Sequence, residues 1–329
     1  MMSDESETTR KNGRNLALEL PTPVDRIDSL STEKTTLFVK RDDLTHKTYG
    51  GNKARKLAEI LKGVPREKTI VTVGAAGSNH VLATVIFGKH FGHVVEGVLF
   101  PQVKTDHVVS NIRAGLSQGL VIRKTSSLLT AGFRLLWALL SGKFVITVGG
   151  SNVVGASAYA DAVHELAKQV EEGVLPRPDA IVVTLGSGGT MAGIAVGIEE
   201  LGWETDLVGV VVTDPPWAAG PFMRRLASSV ARFRKVRFTG KRVRVERGYR
   251  GAGYGIATEA GDAVMKKAHA AGLHLDATYT AKTFAATLDL VASGQYENVL
   301  YWHTLSSASK APFLEHAPEL SAEWKGLLK

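Results

Sequence analysis

The run Ala180-Ile181-Val182-Val183-Thr184-Leu185, then Gly186-Ser187-Gly188-Gly189-Thr190, then Met191-Ala192-Gly193-Ile194-Ala195-Val196, decides the fold. Its first six residues, mostly apolar and β-branched, read as a strand buried on both faces. The glycines end that pattern, and residues 190–201 read as a helix. Strand, glycine loop and helix together make an anion cradle. Glycine permits the sharp turn, free backbone N–H groups close on an oxyanion, the helix N-terminus adds partial positive charge, and Ser187 and Thr190 offer hydroxyls. The loop lacks the Gly-Lys-Ser/Thr ending of a P-loop, and no acid is placed to hold a dinucleotide ribose. Taken alone, the segment can also be an ordinary glycine-rich turn.

Working outward, strand-like runs at 36–39, 69–73, 94–100, 145–148, 207–212 and 299–303 alternate with helix-like stretches at 53–62, 78–91, 156–172, 258–271 and 280–292. Such alternation predicts an α/β fold of mostly parallel sheets flanked by helices. The most apolar stretch, residues 128–148, is interrupted by Arg134 and Lys143. It reads as a buried helix followed by a strand, not as a membrane span.

With no cysteine among 329 residues, disulfides, thiolate metal sites and cysteine nucleophiles are excluded, and a reducing, cytoplasmic setting is expected. Residues 1–15 are polar, of mixed charge and without an apolar core, which reads as a flexible leader and not a signal peptide. Histidines show no metal-ligand spacing, so no metal is expected. The surplus of basic residues is concentrated: between Arg224 and Arg250 stand eleven Lys or Arg against the single acid Glu246. Such a patch can contact phosphates, but alternation in Lys241-Arg242-Val243-Arg244-Val245 suits a solvated strand edge. Nucleic-acid binding is therefore not expected.

Upstream, residues 36–57 give a strand, a polar loop and Gly50-Gly51-Asn52-Lys53 at a helix start. Asn52 reads as the N-cap, and Lys53 projects from the first turn. Neighbouring cations, Arg55 and Lys56, and the positive helix end should depress the Lys53 pKa and favour the neutral amine that Schiff-base formation needs. A simply solvated lysine is the alternative.

Val39-Lys40-Arg41-Asp42-Asp43-Leu44 and Gly50-Gly51-Asn52-Lys53-Ala54-Arg55-Lys56-Leu57 together resemble the cofactor-lysine segment of the 1-aminocyclopropane-1-carboxylate (ACC) deaminase and D-cysteine desulfhydrase family. These are fold-type II pyridoxal-phosphate (PLP) enzymes. Matches continue in order with Gly77-Ser78-Asn79-His80, Gly149-Gly150-Ser151-Asn152, the 186–190 loop, Gly253-Tyr254-Gly255, Asp276-Ala277-Thr278-Tyr279-Thr280-Ala281-Lys282 and His303-Thr304, so the resemblance spans roughly residues 35–310. It implies two open sheets with PLP between a larger domain (1–52 and 156–329) and a smaller inserted one (53–155), in a homodimer. It further implies Lys53 as Schiff-base lysine and proton carrier, and Lys56 with Gly186, Ser187, Gly188, Gly189 and Thr190 on the phosphate. Asn79 would meet the phenolic oxygen, Ser78 the substrate carboxylate or a proton in transit, and Tyr254 and Tyr279 the substrate.

Two departures bear on the reaction. ACC deaminases carry, after the equivalent of Tyr279, a glutamate facing the pyridine nitrogen; here Thr280 follows, and Thr280 or Thr304 could supply a hydroxyl instead. A hydroxyl leaves the ring a weaker electron sink, which disfavours cyclopropane opening and favours α,β-elimination of a good leaving group from a small amino acid. The family's Gly-Gly after His-Thr is replaced by Leu305-Ser306-Ser307. His80 could donate a proton to the leaving group or merely hydrogen-bond within its helix. Besides elimination, the alternatives are ACC deamination, β-replacement, racemisation, and a PLP-fold binding protein without catalysis.

Overall fold

Among the residues described by the computed structural model, 15–329, ten strands form two sheets. Most of the stretch read as a flexible leader lies outside the described residues. The larger sheet has the order β1 (Val24–Arg26), β2 (Thr36–Lys40), β10 (Asn298–Trp302), β7 (Ala180–Leu185), β8 (Asp206–Val211), β9 (Val243–Glu246). Only β1 runs antiparallel to its neighbour; Tyr301 pairs with Val39 on one side and Val182 on the other. The smaller sheet, β5 (Val121–Lys124), β4 (Val95–Phe100), β3 (Ile70–Ala75), β6 (Phe144–Ile146), is wholly parallel. The predicted central strands fall within a residue or two of these bounds. The short β1 and β5 carry too few apolar residues for periodicity to show them, while β9 is the edge strand that the alternation at 241–245 suited.

Nine α-helices of the described residues connect the strands, α1 (Asn52–Lys62), α2 (Asn79–His90), α3 (Asp106–Ser117), α4 (Leu128–Leu140), α5 (Val153–Glu171), α6 (Gly189–Glu200), α7 (Pro216–Arg234), α8 (Glu259–Ala270) and α9 (Thr280–Ser293), and the single turn α10 (Ala311–Leu314) follows β10. One face of the large sheet packs on α5, α6 and α7 through Tyr159, Val163, Met191, Ile194 and Met223. The other packs on α8 and α9 through Val264, Ala268, Phe284 and Val291. Helices α1, α2 and α3 share a core with the small sheet.

Residues 128–148 form a helix and then β6, but α4 is not buried. Ala131 and Ala138 lie against Val71, Val73 and Val98, whereas Leu129, Phe133, Leu136, Trp137 and Leu140 are between 55% and 80% exposed. α4 is the outermost layer over a small sheet, so only its narrow alanine side meets protein. Total hydrophobicity cannot reveal that.

Behind the sheets lies a buried polar knot. Asp42 sits just beyond β2, and its two carboxylate oxygens accept from Arg55 at 2.8 and 3.0 Å, from Tyr159 at 2.7 Å, from Trp302 at 2.8 Å and from Thr22 at 2.9 Å. Arg55 also forks onto Glu165 of α5 at 2.9 and 3.0 Å, and buried Lys40 donates to Glu165 at 2.6 Å. Burial alone would raise the Asp42 and Glu165 carboxyl pKa values, but Arg55 and Lys40 hold both below the usual range. Both carboxylates titrate lower folded than unfolded. Their contribution is therefore complete above the ordinary carboxylate range and is lost as pH falls through the depressed values. Asp42→Asn leaves Arg55 partly uncompensated in the interior. It is expected to cost about 3–5 kcal/mol at neutral pH and to flatten the acid limb of stability, measured by denaturant unfolding at several pH values.

Candidate active site

A cavity of about 500 Å³ opens at the carboxyl ends of β3, β4, β7, β8 and β10, between the two sheets. Open parallel sheets place ligands at such ends. Every predicted site residue lines this one cavity: Lys53, Lys56, Ser78, Asn79, His80, Gly186, Ser187, Gly188, Gly189, Thr190, Tyr254, Tyr279, Thr280 and Thr304.

Helix α1 starts in a loop that only glycine can make. Gly51 has φ +84°, and a Cβ there would stand 2.5 Å from the Thr304 carbonyl. Gly51, not Asn52, is the N-cap; Asn52 is already helical and donates its side-chain amide to Thr190 Oγ1 at 2.9 Å, tying α1 to α6. A helical arrangement puts residues three apart on one face. Lys53 and Lys56 therefore share the cavity face, while Arg55 points back into the Asp42 knot.

Lys53 lacks a hydrogen-bond or ion-pair partner among the described residues. Burial lowers its amine pKa to about 8. The neighbouring cations, expected from sequence to be the cause, are not: Arg55 spends its charge on Asp42 and Glu165. Lys56 is fully enclosed. Burial, and then the Lys53 charge, push it well down, and its one hydrogen bond among the described residues is a long 3.4 Å one to the Gly149 carbonyl.

The cradle itself closes around α6. The Gly189 amide donates to Ser151 Oγ at 3.1 Å, and Ser151 meets Ser187 Oγ at 2.8 Å. A Cβ on Gly189 would lie 2.5 Å from Ser151 Oγ and 2.9 Å from Lys56 Nζ, so the lysine, the serine and the loop converge on one small volume. Ser151 stood in a motif quoted above without an assigned role, and Asn52 only as the expected N-cap; both support the loop.

On the opposite wall, Ser78 caps α2, accepting from Val81 N–H at 3.4 Å. His80 is buried, with Nε2 2.9 Å from Thr72 Oγ1 on β3, so it bonds across to the sheet and not within its own helix turn. Burial, then Lys53 and Lys56, hold its pKa well below the usual value. The Tyr254 and Tyr279 hydroxyls bond each other, and burial raises both phenols, Tyr254 to about 12. The Tyr254 loop is pinned twice: its amide donates to Asp214 at 2.8 Å, and buried Lys282 donates to the Arg250 and Gly253 carbonyls at 2.7 and 3.2 Å. Asp276, quoted in a motif above without a role, accepts from the Tyr279 and Thr280 amides at 2.9 and 2.8 Å and from the Thr280 hydroxyl at 3.0 Å. Leu305 joins the cavity wall, while Ser306 accepts from the Gly50 amide and Ser307 donates to Asp43.

Residues 16–304 match the family described as pyridoxal-phosphate dependent enzymes. The chain belongs to that family. A Thermotoga maritima protein named as a candidate 1-aminocyclopropane-1-carboxylate deaminase is 33% identical over 298 residues, 86% of this chain and 93% of that one. The D-cysteine desulfhydrase of Salmonella paratyphi A is 31% identical over 301 residues, 86% of this chain and 91% of its own. The crystal structure of an ACC deaminase homologue superposes with a TM-score of 0.77 at 29% identity, covering 91% of this chain and 93% of the other. The two-sheet architecture is thus that of the fold-type II enzymes, and PLP is the cofactor this family uses.

Lys53 in the apo-protein is expected to titrate near pH 8. An amine-selective acylating reagent, with labelling followed by peptide mass spectrometry across pH, measures this; a midpoint near that of a solvated lysine, about 10.4, contradicts it.

Proposed function

We propose that the protein is a PLP-dependent lyase that eliminates a β-substituent from a small amino acid, of the D-cysteine desulfhydrase type, giving a keto acid, ammonia and the leaving group. The observation that carries the reading is Lys53: a partly desolvated amine with a lowered pKa and no partner among the described residues, on the same helix face as Lys56 and beside a glycine cradle. The cavity fits the cofactor. Lys56 is an enclosed amine with no carboxylate partner among the described residues, and it converges with Ser151 on Gly189 of the loop, so a phosphate there would supply the missing negative charge.

Bound PLP supplies an electron sink for charge developing at the substrate α-carbon. In our reading Lys53 anchors the cofactor and carries the α-proton, its depressed pKa letting it accept a proton near neutrality. Lys56 and residues 186–190 hold the phosphate, Asn79 meets the phenolic oxygen, and Thr304 lies against the ring. Ser78, at a helix N-terminus whose partial positive charge favours an anion, receives the substrate carboxylate. The tyrosine pair keeps its protons at neutral pH and can donate hydrogen bonds toward a departing sulfide. His80, neutral and bonded to Thr72, shapes the wall on the substrate side.

ACC deamination is the second reading, favoured by the name of the Thermotoga relative. Against it stands Thr280, whose hydroxyl hydrogen is directed to Asp276, where a facing carboxylate would be needed. We also propose that residues 1–52 and 156–329 form one domain and 53–155 a second, with the cofactor between, and that the protein works in the cytoplasm. We assign the basic run no nucleic-acid role: Arg234, Arg242, Arg244 and Arg250 pair with Glu200, Glu204, Asp206 and Asp214.

The assembly we propose is a homodimer joined through α4. Leu129, Phe133, Leu136 and Leu140 recur at spacings of four, three and four, the seam by which one helix packs on another. With Trp137 and Leu139 they expose on the order of 800 Å² of apolar surface, about one partner's share of a stable interface. A two-fold axis sets such a seam against itself. Light scattering on the holoprotein is expected to give twice the chain mass, and Leu136→Glu, with unchanged circular dichroism, the single mass. A monomeric wild type, or a variant that stays dimeric, contradicts this interface.

Product analysis with D-cysteine, ACC, L-cysteate and D-serine tests the reaction. We expect pyruvate and sulfide from D-cysteine, and a loss of at least a thousandfold in Lys53→Ala. If D-cysteine yields neither product, the proposal fails.

A further inference from the structure

The amide of Asn79 faces the cavity from the first turn of α2, and an amide can present either an acceptor or a donor. Here the choice is made from behind. Asn79 Oδ1 accepts from Asn111 Nδ2 at 2.8 Å, and Tyr49 donates to the same oxygen at 3.4 Å. Asn111 is buried on α3, and its own orientation is fixed at both ends. Its Nδ2 also donates to the Gly77 carbonyl at 2.9 Å, with His107 Nε2 a further 3.1 Å neighbour. Its Oδ1 accepts from Lys310 Nζ at 2.9 Å, and that ammonium is held by Ser110 Oγ at 2.6 Å. A carbonyl only accepts and an ammonium only donates, so Asn111 cannot turn over without losing both bonds. Asn79 is left with its oxygen occupied and its Nδ2, partnerless among the described residues, toward the cavity.

We propose that Asn111, locked between Gly77 and Lys310, is a positioning residue that compels Asn79 to present a donor to the phenolic oxygen of the cofactor. The proposal rests on the cofactor reading above. A donor at that oxygen draws off negative charge that would otherwise hold the proton on the neighbouring imine nitrogen, so it lowers the pH at which that proton is lost. Undoing the lock should raise it.

Asn111→Asp is the discriminating variant. The new carboxylate still accepts from Lys310 but opposes two acceptors, the Gly77 carbonyl and Asn79 Oδ1, so Asn79 turns and presents its oxygen. We expect PLP affinity to fall about tenfold or more and the pH midpoint of the bound cofactor's visible band to rise by about one unit. In an Asn79→Ala background the same substitution should no longer move the midpoint, because its effect runs through Asn79. A folded Asn111→Asp protein with wild-type midpoint and affinity overturns the proposal, as does an undiminished shift in the Asn79→Ala background. Should the aspartate variant not fold, Asn111→Ala frees Asn79 without adding charge and must give a smaller upward shift; an unmoved midpoint there overturns it equally. A wild-type protein with no visible band would instead sink the cofactor reading, a distinct failure.

Discussion

Helix α1 is gripped on one side and deprived on the other, and the site follows from that asymmetry. Its back face sends Arg55 into two carboxylates in the interior, a charge-assisted fork with little freedom to relax. Its front face carries Lys53 and Lys56 into a desolvated volume where neither has an ion-pair partner among the described residues. Holding two amines in that setting is unfavourable by itself; the Asp42 knot, Gly51 and the Asn52 to Thr190 bond keep them there. A ligand with an anionic end and an electrophilic carbon satisfies both amines at once.

The rest of the cavity shares this habit of fixing polarity from a distance. Ser151 aligns Ser187 and the Gly189 amide, Asn111 orients Asn79, Asp276 organises the start of α9, and Lys282 with Asp214 holds the Tyr254 loop. Supporting residues of this kind keep reacting groups in place without touching the substrate. They also separate an end built of glycine, serine and lysine from an end of buried phenols whose raised pKa values keep them protonated.

What could be read in the sequence was what is local. The strand, loop and helix around Gly186, and the glycines ahead of Lys53, announce themselves within a dozen residues, and the two sheets follow from runs that alternate in type. The supporting groups could not be read, since Asn111 lies 32 residues from Asn79 and Asp42 lies 117 from Tyr159. The direction of the Lys53 shift was right but its cause was not, because sequence shows that Arg55 is near and hides that its charge is spent elsewhere. α4 marks the opposite limit: composition measured how apolar the helix is, and only the layer order shows that most of it faces outward.

The most direct test of this account is to reduce the holoprotein with borohydride and map the cofactor adduct by peptide mass spectrometry. The adduct is expected on Lys53, with Lys56 unmodified. An adduct on another lysine, or a protein that takes up no cofactor, would contradict it.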